Sequence, residues 1–239
     1  MRTTGVISTF LLLFAVVSCK NPTATTSGEK RPEDRFQLTE YQTYQKLVVK
    51  DPWQGSSVVF DYYLFPEKAV IPDSLKLKTI IRIPVHRIVC MSTTHLSMIC
   101  ALKAEDAIVG ISGKNLVYNT DLRKRLDEGV IKDVGYESNL DKELIVSLKP
   151  DILMAYGVNP ASAGYMTKLN DLGIKVMFNA DYLEQDPLKR AEWIKVFGAL
   201  FDRKKMADSI YETVCSNYNR VRDTIIAHAD NKPLVLLGG

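Results

Sequence analysis

Polar side chains follow several apolar runs of the sequence, at the points where each run ends. Ser92, Thr93 and Thr94 come directly after the apolar run 87–91. The candidates for ligand contact are Thr94, His95, Lys114, Asn115, Tyr118, Tyr136, Glu137, Tyr156, Asn159, Asn179 and Asp181. Their hydroxyl, amide, cationic and phenolic groups donate and accept hydrogen bonds, and a phenol ring can stack on a flat ligand. This mixture suits the binding of a ligand better than it suits a catalytic apparatus.

Signatures of catalysis, metal binding and cofactor binding are mostly missing from the sequence. The first apolar run ends in hydroxyl residues rather than in a glycine-rich phosphate loop. The segment 110–114 resembles a nucleophile elbow but lacks the final glycine. His86, His95 and His228 are scattered without metal-ligand spacing. We therefore predict no catalytic residue, no metal ligand and no cofactor.

The candidate residues need elements that bring them together. Apolar strands are predicted at 87–91, 107–111, 152–155 and 174–178, with helical patterns between them. Such alternation favours an α/β fold with a parallel sheet flanked by helices. The carboxyl ends of parallel strands form the crevice in which ligands bind, so we expect the candidates along one edge of the sheet.

A β-rich segment precedes this region. Residues 36–83 are rich in β-branched and aromatic residues and are punctuated by proline and glycine, which favours a small antiparallel β-meander. Its aromatic cluster consists of Phe60, Tyr62, Tyr63 and Phe65. That cluster could be a ligand surface or ordinary strand packing.

A long helical section follows the last strand. Asp186 and Pro187 form a helix cap and a first-turn proline. Apolar residues then recur at helical spacing over 203–228, a length of about 39 Å at 1.5 Å per residue. The pattern fits a helix that joins two lobes, or an ordinary surface helix that closes one domain. Residues 231–233 break the helix, and an apolar strand begins at Leu234.

The amino terminus has the form of a lipoprotein signal. Residues 5–17 are mostly apolar, too short a run for a transmembrane helix, and Cys19 follows small residues at 16–18. We expect cleavage before Cys19, acylation of its side chain and amino group, and a polar tether over 19–35. The protein would then be lipid-anchored in the cell envelope, on the periplasmic side or at the cell surface. The alternative is a cleaved secretory signal with an incidental cysteine.

Charge and the remaining cysteines limit the partners further. The formal net charge is +3, so electrostatics give no argument for nucleic acid. Cys90, Cys100 and Cys215 lie among apolar neighbours and are expected to be free thiols. A Cys90–Cys100 bridge stays open, because the expected compartment is oxidising.

Four phrases of the sequence, in this order and spacing, resemble the substrate-binding proteins of ABC importers for iron-siderophores, haem and cobalamin. They are RIVCMS, AIVGIS, NLDKELIVSLKPDILMAYG and LGIKVMFN. The resemblance implies an amino-terminal lobe over 84–185, after the β-rich extension of 36–83. It also implies an interlobe helical section over 186–230 and the start of a missing carboxyl lobe over 231–239. The expected partners are a ferric siderophore, haem or cobalamin, an ABC permease with its ATPase, and a membrane.

The resemblance also gives expected roles to single residues. Tyr136 and Glu137 fall where family members place ligand-facing residues, but Glu137 departs from the aromatic expected of a cobalamin binder. Lys114 could bind an anionic chelate or a propionate, or be a solvated loop charge. His95 could approach a haem iron or a siderophore, or serve as a cap or packing residue. Glu143, six residues before Lys149, matches a glutamate that pairs with a permease arginine.

Two other hypotheses remain open. One is a doubly wound enzyme, a hydrolase or chelatase, acting on the same ligands at the crevice. The other is a non-functional truncated fragment. The leading hypothesis is a membrane-anchored protein that captures a metal chelate and delivers it to an ABC importer.

Overall fold

Nine strands form two sheets in the part of the chain that the structure, a computed structural model, describes: residues 34–136, 139–157, 164 and 168–227. The first sheet contains β1 Phe36–Glu40, β2 Gln45–Lys50, β3 Val59–Pro66 and β4 Thr79–Ile83. The second contains β5 Ile88–Cys90, β6 Ile108–Ile111, β7 Lys132–Asp133, β8 Ile152–Ala155 and β9 Val176–Phe178. Residues 1–33, which include the signal, Cys19 and all of the tether except Asp34 and Arg35, lie outside the described residues, as do Glu137, Asn159 and 228–239.

The first sheet, which we call the β extension, has the order β1-β2-β3-β4. The β1–β2 and β2–β3 pairs are antiparallel, whereas β3 and β4 are parallel. The expected all-antiparallel meander is therefore wrong for the last strand. The segment 67–78 carries the chain back to the start of β3, and a return of about a dozen residues is what a parallel pair needs.

The second sheet is wholly parallel, with the order β7-β6-β5-β8-β9. The α/β fold with a parallel sheet flanked by helices is thus confirmed. Its helices are α1 Thr93–Ala101, α2 Thr120–Asp127 and α3 Lys142–Ser147, and residues 168–171 are also helical. From β5 the chain first builds outward through β6 and β7, and then returns to the other side of β5 for β8 and β9. This reversal opens a crevice at the carboxyl ends of β5 and β8.

The aromatic cluster of the β extension packs inside. Tyr62, Tyr63 and Phe65 are buried and Phe60 is partly buried, so strand packing is the main role of the cluster. The Tyr62 hydroxyl accepts a hydrogen bond of 3.1 Å from the backbone N–H of Phe178 in β9. The two sheets therefore share both a core and a buried polar contact.

The helical section consists of α4 Pro187–Glu192, α5 Ile194–Leu200 and α6 Lys204–Ala227. Asp186 caps α4 as predicted, its carboxylate accepting from the N–H of Leu188 at 2.8 Å. The long helix α6 is confirmed, and its 24 residues extend about 36 Å. Ala207 near its start is fully buried, whereas Val221 and Ile225 further along are 50% and 62% exposed.

Cys90, Cys100 and Cys215 are free thiols, and no Cys90–Cys100 bridge is formed. Among the described residues, we find no helix with the length and apolar character needed to cross a membrane.

Candidate functional site

The turn from β5 into α1 places the first candidate residues. Ser92 caps the helix, its hydroxyl accepting from the backbone N–H of Thr94 at 3.2 Å. The Ser92 and Thr94 hydroxyls lie 2.9 Å apart, and Thr94 is exposed. A capping serine therefore fixes the Thr94 hydroxyl at the carboxyl end of β5, where it can contact a ligand.

His95 is placed differently. Its side chain is 0% exposed, its ring lies 6.1 Å from that of Phe197, and neither ring nitrogen has a hydrogen-bond partner. Burial lowers the pKa of His95 to about 3, and the backbone of Met154 raises that pKa by a smaller amount. His95 is thus a neutral packing residue of the core, and in this arrangement its ring does not reach the crevice.

This burial predicts a pH dependence of stability. The pKa of His95 is about 3 in the folded chain, against 6.5 ordinarily, so the unfolded chain binds more protons between these values. Stability should therefore fall as the pH falls from about 6.5 towards 3, by up to about 1.4 kcal/mol per pH unit. Urea unfolding of the wild type and of His95→Leu at about pH 7 and 4.5 should show a shallower loss in the variant. Parallel losses in the two proteins would contradict the assignment.

The loop after β6 exposes its candidates. Lys114, Asn115 and Tyr118 all lie at the surface, Tyr118 being 90% exposed. Tyr136, after β7, is 45% exposed and lies beside Gly113, where a Cβ atom would meet its ring at 3.6 Å. Lys114 and Tyr136 thus flank one end of the crevice, whereas Tyr118 points into solvent.

The ends of β8 and β9 form the other end of the crevice. Tyr156 is half-buried, and its ring packs edge-on against that of Tyr182 at 6.4 Å. Asn179 is buried, and its side-chain oxygen accepts from the N–H of Asp181 at 3.0 Å. Burial raises the pKa of Asp181, and a hydrogen bond from the Thr94 side chain opposes that rise. Thr94 and Asp181 thus follow β5 and β9, the strands on either side of β8.

Two buried polar atoms without a hydrogen-bond partner lie along this edge. In the described residues, six buried side-chain nitrogen or oxygen atoms have no hydrogen-bond partner. Two of the six, Ser112 Oγ and Asn179 Nδ2, belong to residues that directly follow β6 and β9, whereas the two ring nitrogens of His95 lie in the core. An unpaired buried polar group costs about 1–3 kcal/mol. Ser112 and Asn179 therefore offer a hydroxyl and an amide for hydrogen bonding at the ends of two strands.

Sequence reasoning missed two aromatic residues at the crevice. Trp53, in the loop between β2 and β3, packs so closely on Gly157 that a Cβ atom there would lie 2.9 Å from the indole. Tyr182 donates a hydrogen bond from its hydroxyl to the carbonyl oxygen of Gly157. The sequence did contain a signal for Trp53, which lies in a turn between Pro52 and Gly55. A large aromatic side chain in a turn would be exposed unless it packed against another part of the protein.

Glu143 lies at the protein surface. It is in the first turn of α3, which Asp141 caps by accepting from the N–H of Leu144 at 2.8 Å. Glu143 is exposed while Ile145 is fully buried, which is the orientation predicted for a surface contact.

Chemistry beyond binding has little support in the described residues. They contain no cluster of three or more histidine, cysteine or carboxylate side chains able to hold a metal ion. Burial raises the pKa of both the Cys90 and the Cys100 thiol, which makes them poor nucleophiles at neutral pH. The arrangement provides hydrogen bonds, aromatic surface and one cation at the rim of a crevice.

Residues 88–239 match the periplasmic binding protein family, and the chain belongs to that family. It is also 33% identical over 162 residues to the uncharacterized lipoprotein MJ0878 of Methanocaldococcus jannaschii. That alignment covers 64% of this chain and 38% of the archaeal protein, so the chain spans well under half of that relative's length.

Several solved structures of other proteins share this fold. A periplasmic heme binding protein from Pseudomonas aeruginosa superposes with a TM-score of 0.50 at 22% identity, over 62% of this chain and 50% of that one. The petrobactin-binding protein YclQ from Bacillus subtilis gives 0.52 at 15% identity, over 78% and 55%. A periplasmic binding protein from Veillonella parvula gives 0.51 at 19% identity, over 81% and 56%. The chain thus spans about half the length of these proteins, which share its fold.

Proposed function

We propose that this protein binds an iron chelate, either a ferric siderophore or haem, or a cobalamin-like metal complex, and delivers it to an ABC importer. The observation that carries the proposal is the polar carboxyl edge of the parallel sheet in a chain of the periplasmic binding protein family. At that edge, hydroxyl, amide, cationic and phenolic groups converge, and the described residues there include no metal cluster and no activated nucleophile. Binding is what such an edge does best.

Each side of the crevice would contribute a different interaction. Thr94 and Asp181 provide hydrogen-bonding groups between the ends of β5 and β9. Lys114 and Asn115 provide a cation and an amide for an anionic part of the chelate. Tyr136 and Tyr156 provide rings that can pack on a flat or bulky ligand. Glu137 and Asn159 are proposed as further contacts, though they lie outside the described residues.

The metal would be bound as part of its chelate, already coordinated by the organic ligand. The described residues offer no metal-binding cluster, so recognition would depend on the organic shell and on its charge rather than on direct coordination. His95 is buried in the core and is therefore the weakest of the proposed contacts.

The test is isothermal titration of the full-length protein with a ferric trihydroxamate siderophore, a ferric triscatecholate siderophore, haemin and cyanocobalamin. We expect micromolar or tighter binding of at least one probe, and recovery of that probe with its mass unchanged. No binding of any probe would overturn the proposal, and a chemically altered probe would favour an enzyme. Lys114→Ala is expected to weaken the binding of an anionic probe more than the binding of an uncharged probe.

A separate prediction concerns the membrane anchor, which we place at Cys19. Cys19→Ala should leave the fold intact and release the protein from membranes, because stable anchoring requires two or more acyl chains. Fractionation after a salt wash, with circular dichroism of the released protein, measures both effects. Ser18→Ala, which keeps a small residue before the cysteine, serves as the control and should remain in the membrane fraction. A Cys19→Ala protein that still sediments wholly with membranes would contradict the anchor.

A further inference from the structure

A polar pocket lies beside the crevice, between the β extension and the loop that follows β9. Its cavity volume is about 540 Å³, within the range typical of small-molecule sites. Trp53 and Gln54 line it from the β extension, and Tyr182 and Glu184 line it from the lobe. None of the residues we assigned to the ligand from the sequence lines this pocket.

The pocket is continuous with the carboxyl edge of the sheet. The indole of Trp53 contacts Gly157 at the end of β8, and its ring lies 5.6 Å from that of Phe178 at the end of β9. Tyr182 closes the same junction, because its hydroxyl is bonded to Gly157 and its ring packs on Tyr156. A ligand seated at Tyr156 would therefore have the pocket directly at its side.

The loop that forms the lobe wall of the pocket is held in place by one arginine. Arg190 donates to the carbonyl oxygens of Asp181, Tyr182 and Glu184 at distances of 2.9–3.2 Å. Glu184 is buried, and its carboxylate accepts from the indole N–H of Trp193 at 3.2 Å. This wall is thus preorganised, which reduces the entropy that binding would cost.

The charges around the pocket balance. Arg35 and Arg190 contribute two cations, and Asp51 and Glu184 contribute two carboxyl groups. Arg35 donates to the carbonyl oxygen of Asp51 at 2.9 Å and lies near enough to Glu184 and Tyr182 for its charge to act on both. A lining with hydrogen-bond donors and acceptors but no net formal charge suits an uncharged ligand group that both donates and accepts hydrogen bonds, such as an amide or a hydroxyl.

We propose that this pocket is a side subsite that binds an uncharged polar arm of the ligand, and that the loop 51–58 of the β extension thereby helps to set ligand selectivity. The inference rests on the proposed function, since the arm belongs to the ligand held at the crevice. The matched family segment begins at Ile88, so the loop lies outside that segment.

The test uses the exposed residue Gln54, at which substitution leaves the packing of Trp53 in place. For a probe that binds the wild type and carries an uncharged amide or hydroxyl group, Gln54→Ala should weaken binding roughly 3- to 10-fold, the effect of one lost hydrogen bond. Gln54→Trp should fill the pocket, weaken binding further and change the ranking of the probes. Leu77→Trp is the matched control, because it adds an indole at a 99% exposed position of the same extension and outside the pocket.

The outcomes separate the two proposals. Probe binding that is unchanged in both Gln54 variants would overturn the subsite while leaving the proposed function standing. No binding of any probe to the wild type would overturn both. Titrations at about 0.05 and 0.5 M salt test the charge of the arm, since a charged arm would be screened. A Gln54→Ala effect that shrinks at high salt would overturn the assignment of an uncharged arm.

Discussion

Replacing Trp193 with alanine should lower the free energy of unfolding by about 3–5 kcal/mol, the usual cost of removing a buried tryptophan. The side chain is 0% exposed, and its ring lies 4.8 Å from that of Phe36 at the start of β1. Its indole N–H also donates to Glu184, whose pKa is raised mainly by burial and is held down in part by that bond. The substitution would leave both a cavity and a buried carboxyl group without its donor.

Urea unfolding followed by circular dichroism measures the effect. Trp193→Phe is the matched control, because it keeps most of the ring and loses the N–H, and it should cost about 1–3 kcal/mol. Trp53 remains in both variants as a fluorescent reporter of the crevice. A loss below about 1 kcal/mol in Trp193→Ala would mean that the helical section and the β extension do not share a core.

If the protein delivers its ligand to an ABC importer, as proposed, Glu143→Arg should reduce uptake at least about tenfold while leaving ligand affinity unchanged. Glu143 is exposed on α3 and is not one of the proposed ligand contacts, so ligand binding should not respond to the substitution. If Glu143 meets a permease arginine, as the resemblance implies, the reversed charge turns an attraction into a repulsion, and like charges across an interface cost several kcal/mol. The cost to folding should stay below about 1 kcal/mol, from a less favourable charge in the first helical turn.

The measurement combines cellular uptake of a probe that the protein binds with titration of the purified variant. Glu212→Arg, at an exposed position of α6, is the control for a charge reversal elsewhere on the surface and should transport normally. A Glu143→Arg protein that loses ligand binding would place Glu143 in the site. One that transports at the wild-type rate would leave it an ordinary solvated carboxylate.

Four of the five strands of the parallel sheet were predicted, because each of the four is a short apolar run that ends in polar residues. The fifth, β7 Lys132–Asp133, was missed because it has two charged, exposed residues and no apolar one. The Asp186 cap and the helix α6 were predictable for a similar reason, since capping and helical periodicity are local properties. The parallel pairing of β4 was missed because β-branched residues favour a strand without selecting the direction of its partner.

The site was predicted less completely than the fold. Thr94, Lys114 and Tyr156 follow strand ends of the parallel sheet, whose topology fixes where strands end, and their role in binding a ligand stays a prediction. Whether a residue beside a strand end faces the crevice or the core depends on tertiary packing, and His95 faces the core. Trp53 reaches the crevice from the loop of a different sheet and contacts Gly157, which lies 104 residues later in the chain. No local sequence pattern reveals a contact of that separation.

The contact between Phe36 and Trp193 joins the first described strand to a helix that lies more than 150 residues later in the chain. Lys204 also pairs with Glu40, and Lys189 with Asp34 at 3.4 Å, so the same two regions are bound at several points. Contacts of such long sequence separation slow folding, because the entropy of closing the loop is lost before the contact forms. During synthesis, β1 must therefore wait for the helical section to emerge before its inner face is covered. Until then the β extension presents an uncovered apolar face, which makes the nascent chain prone to aggregation.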